Sequence, residues 1–275
     1  MKKVLITGTN SGFGMLSVLE LAKSGYFVIA TVRDINKSNE LLDLASQMNV
    51  HQNIEIYLLD LEFSEQIYVL KEKIVENHGS IDVLINNAGY CLGGLTEEVP
   101  ICAWRNQFEV NYFGTLQMIQ QFLPLLKKNK GSRIINISSV SGLLGLPGFG
   151  PYASSKFAIE GLSESLRLEL LSENVYVSLV EPAAYKTKIW EKGLEDFKKN
   201  ADSSHILKSK LLKEATNSYE NGSDPIEVAN LIVKICHTDK PKFRYPIGNG
   251  ARFLYIAKRI SPWSLVEWFA RRKLK

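Results

Sequence analysis

"KVLITGTNSGFG", residues 3–14, runs from a short β-branched apolar stretch straight into a loop with glycines at 8, 12 and 14. Residues 14–24 then read as a helix. In such a strand–loop–helix unit, Gly8, Gly12 and Gly14 permit a tight turn. Backbone N–H groups can then approach a pyrophosphate, and the helix N-terminus adds the positive end of its dipole. The spacing is G-x-x-x-G-x-G, not G-x-G-x-x-G, and glycines also serve plain turns. The place of the loop between strand and helix is what points to a phosphate.

The same alternation continues along the chain. Apolar runs at 27–32, 54–59, 82–86, 133–138 and 175–180 read as strands, with helices at 38–48, 64–78, 103–128 and 152–172 between them. The strands lack polar alternation, which suits cover on both faces. The pattern predicts an α/β fold, a doubly wound parallel sheet with right-handed crossovers and helices on both faces. From 183 to 225 the pattern weakens into a charged, partly helical piece without strands. That is too long for a plain connection, so it is either a disordered segment or, as we take it, a small helical lid over the substrate site. A helix at 225–236 and a last strand at 242–248 follow. With no Pro/Gly/Ser linker and no repeat, 1–275 is expected to be one domain.

Composition excludes several classes. The chain has 275 residues, 45% hydrophobic and 23% charged, an ordinary globular balance, and its net charge of +4 is too small to argue for nucleic acid. Cys91, Cys102 and Cys236 show neither a disulfide framework nor zinc spacing, the four histidines are scattered, and no metal is expected. The apolar "VLI" near the start is too short for a signal peptide. No run approaches the about 18 apolar residues of a membrane span. A cytoplasmic setting is the simplest expectation.

The end of the second predicted strand, "ATVRD", bears on cofactor choice. A dinucleotide fold often places an acidic residue there to bind the adenosine ribose hydroxyls. Here Val32 holds that position and Arg33 follows. The apolar residue leaves room for a 2′-phosphate that a guanidinium can pair with. This favours NADP(H), with NAD(H) as the alternative if Arg33 merely pairs with Asp34.

"PYASSKFAIEGL", residues 151–162, sets Tyr152 four residues before Lys156, on one helix face. A phenol has an ordinary pKa near about 10, and a nearby cation lowers it. The pair can therefore do acid–base work, although either residue alone could be a surface side chain.

Taken together these motifs resemble the short-chain dehydrogenase/reductase family, over nearly the whole chain: "TGTNSGFG" at 7–14, Asp60 in "LLDL", "NNAG" at 86–89, Asn111 in "VNYFGT", "IINISSVSG" at 134–142, Tyr152 with Lys156, and "EPAAYKT" at 181–187. The finer likeness is to the steroid and retinoid dehydrogenase branch. The resemblance implies catalytic roles for Asn111, Ser139, Tyr152 and Lys156. Ser139 is chosen over Ser138 and Ser141 by its distance of thirteen residues before Tyr152, the family's usual spacing. Ser139 would bind the substrate oxygen, Tyr152 exchange the proton, Lys156 tune the phenol and hold the nicotinamide ribose, and Asn111 fix a relay water. Cofactor contacts would come from Gly8, Asn10, Ser11, Gly12, Phe13, Gly14, Arg33, Asp60, Leu61, Asn87, Ala88, Gly89, Tyr152, Lys156, Pro182 and Thr187. Asp60 would meet the adenine edge and Thr187 the carboxamide. The family's usual Pro-Gly after the sixth strand is Pro182-Ala183 here, which adds a methyl near the nicotinamide. Blander readings exist: Asn111 could kink its helix through a backbone bond, and the serines could cap a strand end.

Loops at 90–96 and 140–149 and the region after Thr187 should wall the substrate site, with Leu146, Ser139 and Tyr152 touching a substrate. The first two are mostly apolar, which favours a lipophilic carbonyl or alcohol. The alternative to an enzyme is a redox-sensing nucleotide-binding protein of the same fold with little turnover. Residues 253–275 read as one amphipathic basic helix. It is taken to cover the pocket or a subunit interface, with contact to a membrane surface as the less favoured alternative. In the resembling family the helices corresponding to 103–128 and 152–172 pair about a two-fold axis, so a homodimer or homotetramer is expected.

Overall fold

The computed structural model describes residues 1–189, 193, 195, 197 and 206–274. The expected lid therefore lies in part, and Lys275 of the C-terminal helix wholly, outside the described residues. The strands are β1 (Lys3–Ile6), β2 (Phe27–Val32), β3 (Ile54–Leu58), β4 (Val83–Asn86), β5 (Arg133–Ile137), β6 (Tyr176–Pro182) and β7 (Arg244–Ile247). They form one sheet in the order β3-β2-β1-β4-β5-β6-β7, every pairing parallel. The chain winds one way from β1 to β3 and the other way from β4 onward. The β1/β4 boundary is thus the switch point, where a ligand crevice belongs.

Alternate side chains along each strand enter opposite cores. Val4, Ile6, Val28, Ala30, Val83 and Ile85 pack on one face against α1 (Gly12–Lys23), α2 (Asn39–Gln47) and the later helix Ile226–His237. Leu5, Ile29, Leu84, Ile134 and Val177 pack on the other against α3 (Ser64–His78), α5 (Thr115–Leu126) and α6 (Gly150–Glu169). Burial on both faces is why the strands read as unbroken apolar runs.

Two expectations about helices need correction. The span 103–128 is not one α-helix: α4 (Ile101–Phe108) passes into a π-helical turn (Glu109–Gly114) before α5 begins. The turn leaves the apolar stripe nearly in phase, so periodicity does not reveal it. The C-terminal stretch is also broken. After α7 (Ile206–Glu220) and α8 (Ile226–His237) come α9 (Ala251–Ile260) and α10 (Trp263–Leu274). Ser261 between them is extended (φ −84°, ψ 131°), as a residue before proline tends to be, and Pro262 ends the run. Neither helix lines the cleft described below. Among the described residues no helix is long and apolar enough to cross a membrane.

Candidate active site

A cleft opens above the carboxyl ends of the strands. Its outer half is lined by Gly8, Asn10, Ser11, Gly12 and Phe13 after β1, Arg33 after β2, Asp60 and Leu61 after β3, Asn87, Ala88 and Gly89 after β4, and Thr187 beyond β6. The inner half shares Phe13, Asn87, Gly89 and Thr187, and adds Ser139, Tyr152, Lys156, Pro182 and Ala183. The strand-end loops thus bring together every cofactor residue inferred from the sequence except Gly14.

Gly14 lies beneath the loop. A Cβ there would collide with the Gly8 carbonyl oxygen and come within 2.6 Å of Asn87 Nδ2. Gly8 has φ +71°, and its Cβ would stand 2.8 Å from Ala88 Cα, so both conformation and space demand glycine. A reciprocal clasp holds this contact. Asn87 Nδ2 donates to the carbonyls of Thr7 (2.8 Å) and Gly8 (2.9 Å), while Thr7 Oγ1 accepts from the N–H groups of Asn87 (3.1 Å) and Ala88 (3.0 Å). Sequence reasoning passes over Thr7, although a hydroxyl at a strand end before a glycine loop is a readable signal. Ser11 makes no side-chain cap bond to α1 and no acidic residue occupies its first turn, so the first N–H groups and the dipole end are free to meet an anion. A glycine cradle, backbone donors and a long cleft across the switch point fit a dinucleotide.

At the β2 end, Val32 is buried and Arg33 is exposed on the cleft wall. Asp34 does not pair with Arg33. It accepts the N–H of Asn36 at 3.0 Å and stands 4.0 Å from Lys37.

In the inner half, Ser139 Oγ accepts the N–H of Ser141 (3.1 Å), and Ser139 lines the cleft together with Tyr152. Of the three candidate serines, Ser138 and Ser139 line the inner half and Ser141 does not. Tyr152 and Lys156 are both buried. Burial drives the Tyr152 pKa well above its ordinary value, and neighbouring Ser139 works against that rise. Burial lowers Lys156 from its ordinary 10.5 to about 8, opposed by nearby Cys91 and Glu160. Lys156 Nζ donates to the Ile137 carbonyl at 2.7 Å and stands 5.7 Å from the Tyr152 ring centroid. Lys156 thus shares the helix face of Tyr152, as their spacing of four predicts.

Asn111 sits in the π-turn, fully buried, outside the cleft lining. Its Oδ1 accepts the Tyr90 N–H (3.0 Å), and its Nδ2 donates to the Tyr90 carbonyl (3.0 Å) and Ser155 Oγ (3.1 Å). The side chain is committed to holding the loop after β4, and the main-chain carbonyl of Asn111 accepts from Thr115 Oγ1 at 3.1 Å. Gln107, buried one turn earlier, grips the same loop: Nε2 donates to the Tyr90 carbonyl and Oε1 accepts the Leu92 N–H, each at 2.8 Å. Arg244 also escaped the sequence reading. It pairs with Glu160, Glu181 and Glu164 and ties the far side of α6 to β6 and β7. Leu146 is 42% exposed and lies outside the lining of both halves.

Beside Tyr152, an apolar cluster gathers Cys91, Phe149 and, from α7, Ala215, with Leu212, Tyr219 and Ile189 against it. Phe197 is buried and stacks on Phe149 with ring centroids 6.2 Å apart.

A model of the short chain dehydrogenase family matches residues 2–197. The chain belongs to the short-chain dehydrogenase/reductase family. An uncharacterized oxidoreductase of Bacillus subtilis, YusZ, is 43% identical over 277 residues, spanning 99% of this chain and 98% of the relative. Retinol dehydrogenase 8 of Bos taurus is 34% identical over 253 residues, 88% of this chain and 80% of the relative. Among solved structures, ElxO with NADP bound superposes with a TM-score of 0.75 at 28% identity, over 92% of this chain and 99% of that one. As a short-chain dehydrogenase/reductase the chain is an oxidoreductase of CH–OH and C=O groups that works with a nicotinamide cofactor.

Proposed function

We propose that this short-chain dehydrogenase/reductase uses NADP(H) to interconvert the carbonyl and alcohol forms of a lipophilic small molecule. The observation that carries the proposal is the convergence of Ser139, Tyr152 and Lys156 at the inner end of the cleft, with Lys156 on the helix face of Tyr152 and an apolar cluster beside it. A bound nicotinamide would supply or accept the hydride. Ser139 orients the substrate oxygen and stabilises the charge that develops on it. The alkoxide left after hydride transfer takes its proton from the Tyr152 hydroxyl. Burial keeps that phenol protonated at neutral pH, the form that reduction consumes. Lys156 holds the ribose and offers a cation to the phenolate as it forms. Asn111 and Gln107 fix the wall formed by Tyr90–Leu92.

The NADP(H) preference rests on buried Val32, on Arg33 at the cleft wall, and on an Asp34 engaged elsewhere. The lipophilic substrate rests on the cluster of Cys91, Phe149 and Ala215, in which α7 and Phe197 act as a lid. Likeness to a retinol dehydrogenase supports the same reading. Copies of the chain would associate through the π-turn and α6, where Phe113 and Phe157 are exposed, whereas Met118, Ile119, Phe122 and Leu166 are spent on the core.

Calorimetry with NADPH and NADH, on wild type and Val32→Asp, tests the cofactor assignment. Tighter NADPH binding that weakens in the variant is the expected outcome, and a wild-type preference for NADH would overturn it. A screen of lipophilic ketones and aldehydes with the preferred cofactor then tests the substrate class. Turnover confined to charged, sugar-like carbonyls would reject it.

A further inference from the structure

Six large apolar side chains of α9 and α10 face outward. Phe253 is 77% and Ile260 76% exposed, and Ile256, Trp263, Trp268 and Phe269 are each more than half exposed. Positions 253, 256 and 260 share one stripe of α9. The opposite side of α9 carries the buried Ala251 and the half-buried Leu254 and Tyr255, so that side packs on the body of the protein and the stripe of Phe253, Ile256 and Ile260 is left uncovered. This many large apolar groups on two consecutive helices mark an interaction surface.

Charge identifies the partner. Residues 251–275 hold seven Lys and Arg against the single Glu267, more positive charge than the net +4 of the whole chain. The cations sit beside the aromatics: Lys258 Nζ lies 4.6 Å from the Trp263 ring centroid, Arg259 Cζ 4.4 Å from that of Tyr255, and Arg272 Cζ 5.5 Å from that of Trp268. Rings with cations over their faces suit the headgroup layer of a bilayer, where Trp and Tyr concentrate and Lys and Arg meet phosphates. A second copy fits poorly, because a two-fold contact would set this positive surface against itself. Neither helix is long and apolar enough to cross a membrane.

We propose that α9 and α10 dock this protein on an anionic lipid surface, their exposed Phe, Ile and Trp side chains entering the interface and their basic side chains meeting the lipid phosphates. The docking stands independently of the substrate assignment, since neither helix lines the cleft.

The test is co-sedimentation of the full chain with vesicles of phosphatidylcholine alone or mixed equally with phosphatidylglycerol. Wild type is expected to bind the mixed vesicles about tenfold more tightly than the neutral ones, and less as salt rises. Trp268→Ser/Phe269→Ser should lose about tenfold in binding from lost apolar insertion. Arg271→Glu/Arg272→Glu, which keeps the apolar face, should lose the preference for anionic lipid. NADPH affinity and melting temperature of each variant should match wild type, which separates lost docking from lost folding. Absence of wild-type binding to anionic vesicles would overturn the proposal. So would a Trp268→Ser/Phe269→Ser variant that binds as well as wild type. A third contrary result is light scattering in which that variant dissociates an oligomer while wild type ignores vesicles, because the surface would then be a self-interface.

Discussion

The two halves of the cleft are built from different materials. The outer half is shaped by backbone: Gly8 and Gly12 carry no side chain, Gly14 beneath them leaves room for the loop, and the first amides of α1 are left open to an anion. The inner half is made of side chains taken out of water, Ser139, Tyr152 and Lys156, of which the last two have displaced proton affinities. A backbone site is specified by what cannot be added to it. A side-chain site is specified by what cannot be removed. The two should therefore fail differently: the outer half by lost binding, the inner half by lost turnover with binding retained.

The sharpest break of this contrast is Tyr152→Phe. It removes the proton donor and leaves the cleft shape, so turnover should fall about 10³-fold while NADPH affinity, by calorimetry, changes little. Equal losses in both would mean that Tyr152 is part of the binding surface first.

Lys156→Met comes next and should separate function from stability. The folded-state pKa of about 8 lies below the ordinary 10.5, so between those pH values the unfolded chain binds more protons and wild-type stability rises with pH. Below pH 8 the buried ammonium costs about 3 kcal/mol, set against the bond to Ile137. The methionine variant should be inactive yet gain stability relative to wild type at pH 7, and lose that advantage above pH 10.5. Denaturant melts across this range check it; a difference independent of pH would show that Lys156 is not charged at a cost.

Gly14→Ala tests the outer half. Its methyl meets the Gly8 carbonyl and Asn87 Nδ2, so a stability loss of about 2 kcal/mol should accompany weaker binding of either nicotinamide nucleotide. Arg33→Ala should have the smallest effect. An exposed guanidinium contributes about 1 kcal/mol to phosphate pairing, so NADPH affinity should fall by about fivefold and NADH affinity stay the same. A matching loss for NADH would remove Arg33 from cofactor selection.

Much of this was legible in the residues. The strands announced themselves because a parallel sheet covered on both faces needs unbroken apolar runs, and Tyr152 and Lys156 met on one face because they are four apart on an α-helix. The π-turn was not legible: one inserted residue shifts the ladder without disturbing the apolar stripe, so 103–128 looked continuous. Gln107 was hidden for a related reason, since its partners are main-chain groups of Tyr90 and Leu92, which no side-chain pattern reports. The break at Ser261-Pro262 was readable from the proline and was overridden by the spacing of apolar residues around it. Leu146 was inferred from a loop's general position, and a loop's course fixes which side chain turns inward only once its turns are known.

The clasp between Thr7 and Asn87 has a consequence for how such a chain can change over time. Each residue satisfies main-chain groups beside the other, so losing either strands donors or acceptors on a strand eighty positions away in sequence. Drift at one position without the other is penalised even when no ligand is touched. The two sites should covary among descendants of this chain, and a library that randomises them singly will find fewer working variants than one that randomises them as a pair.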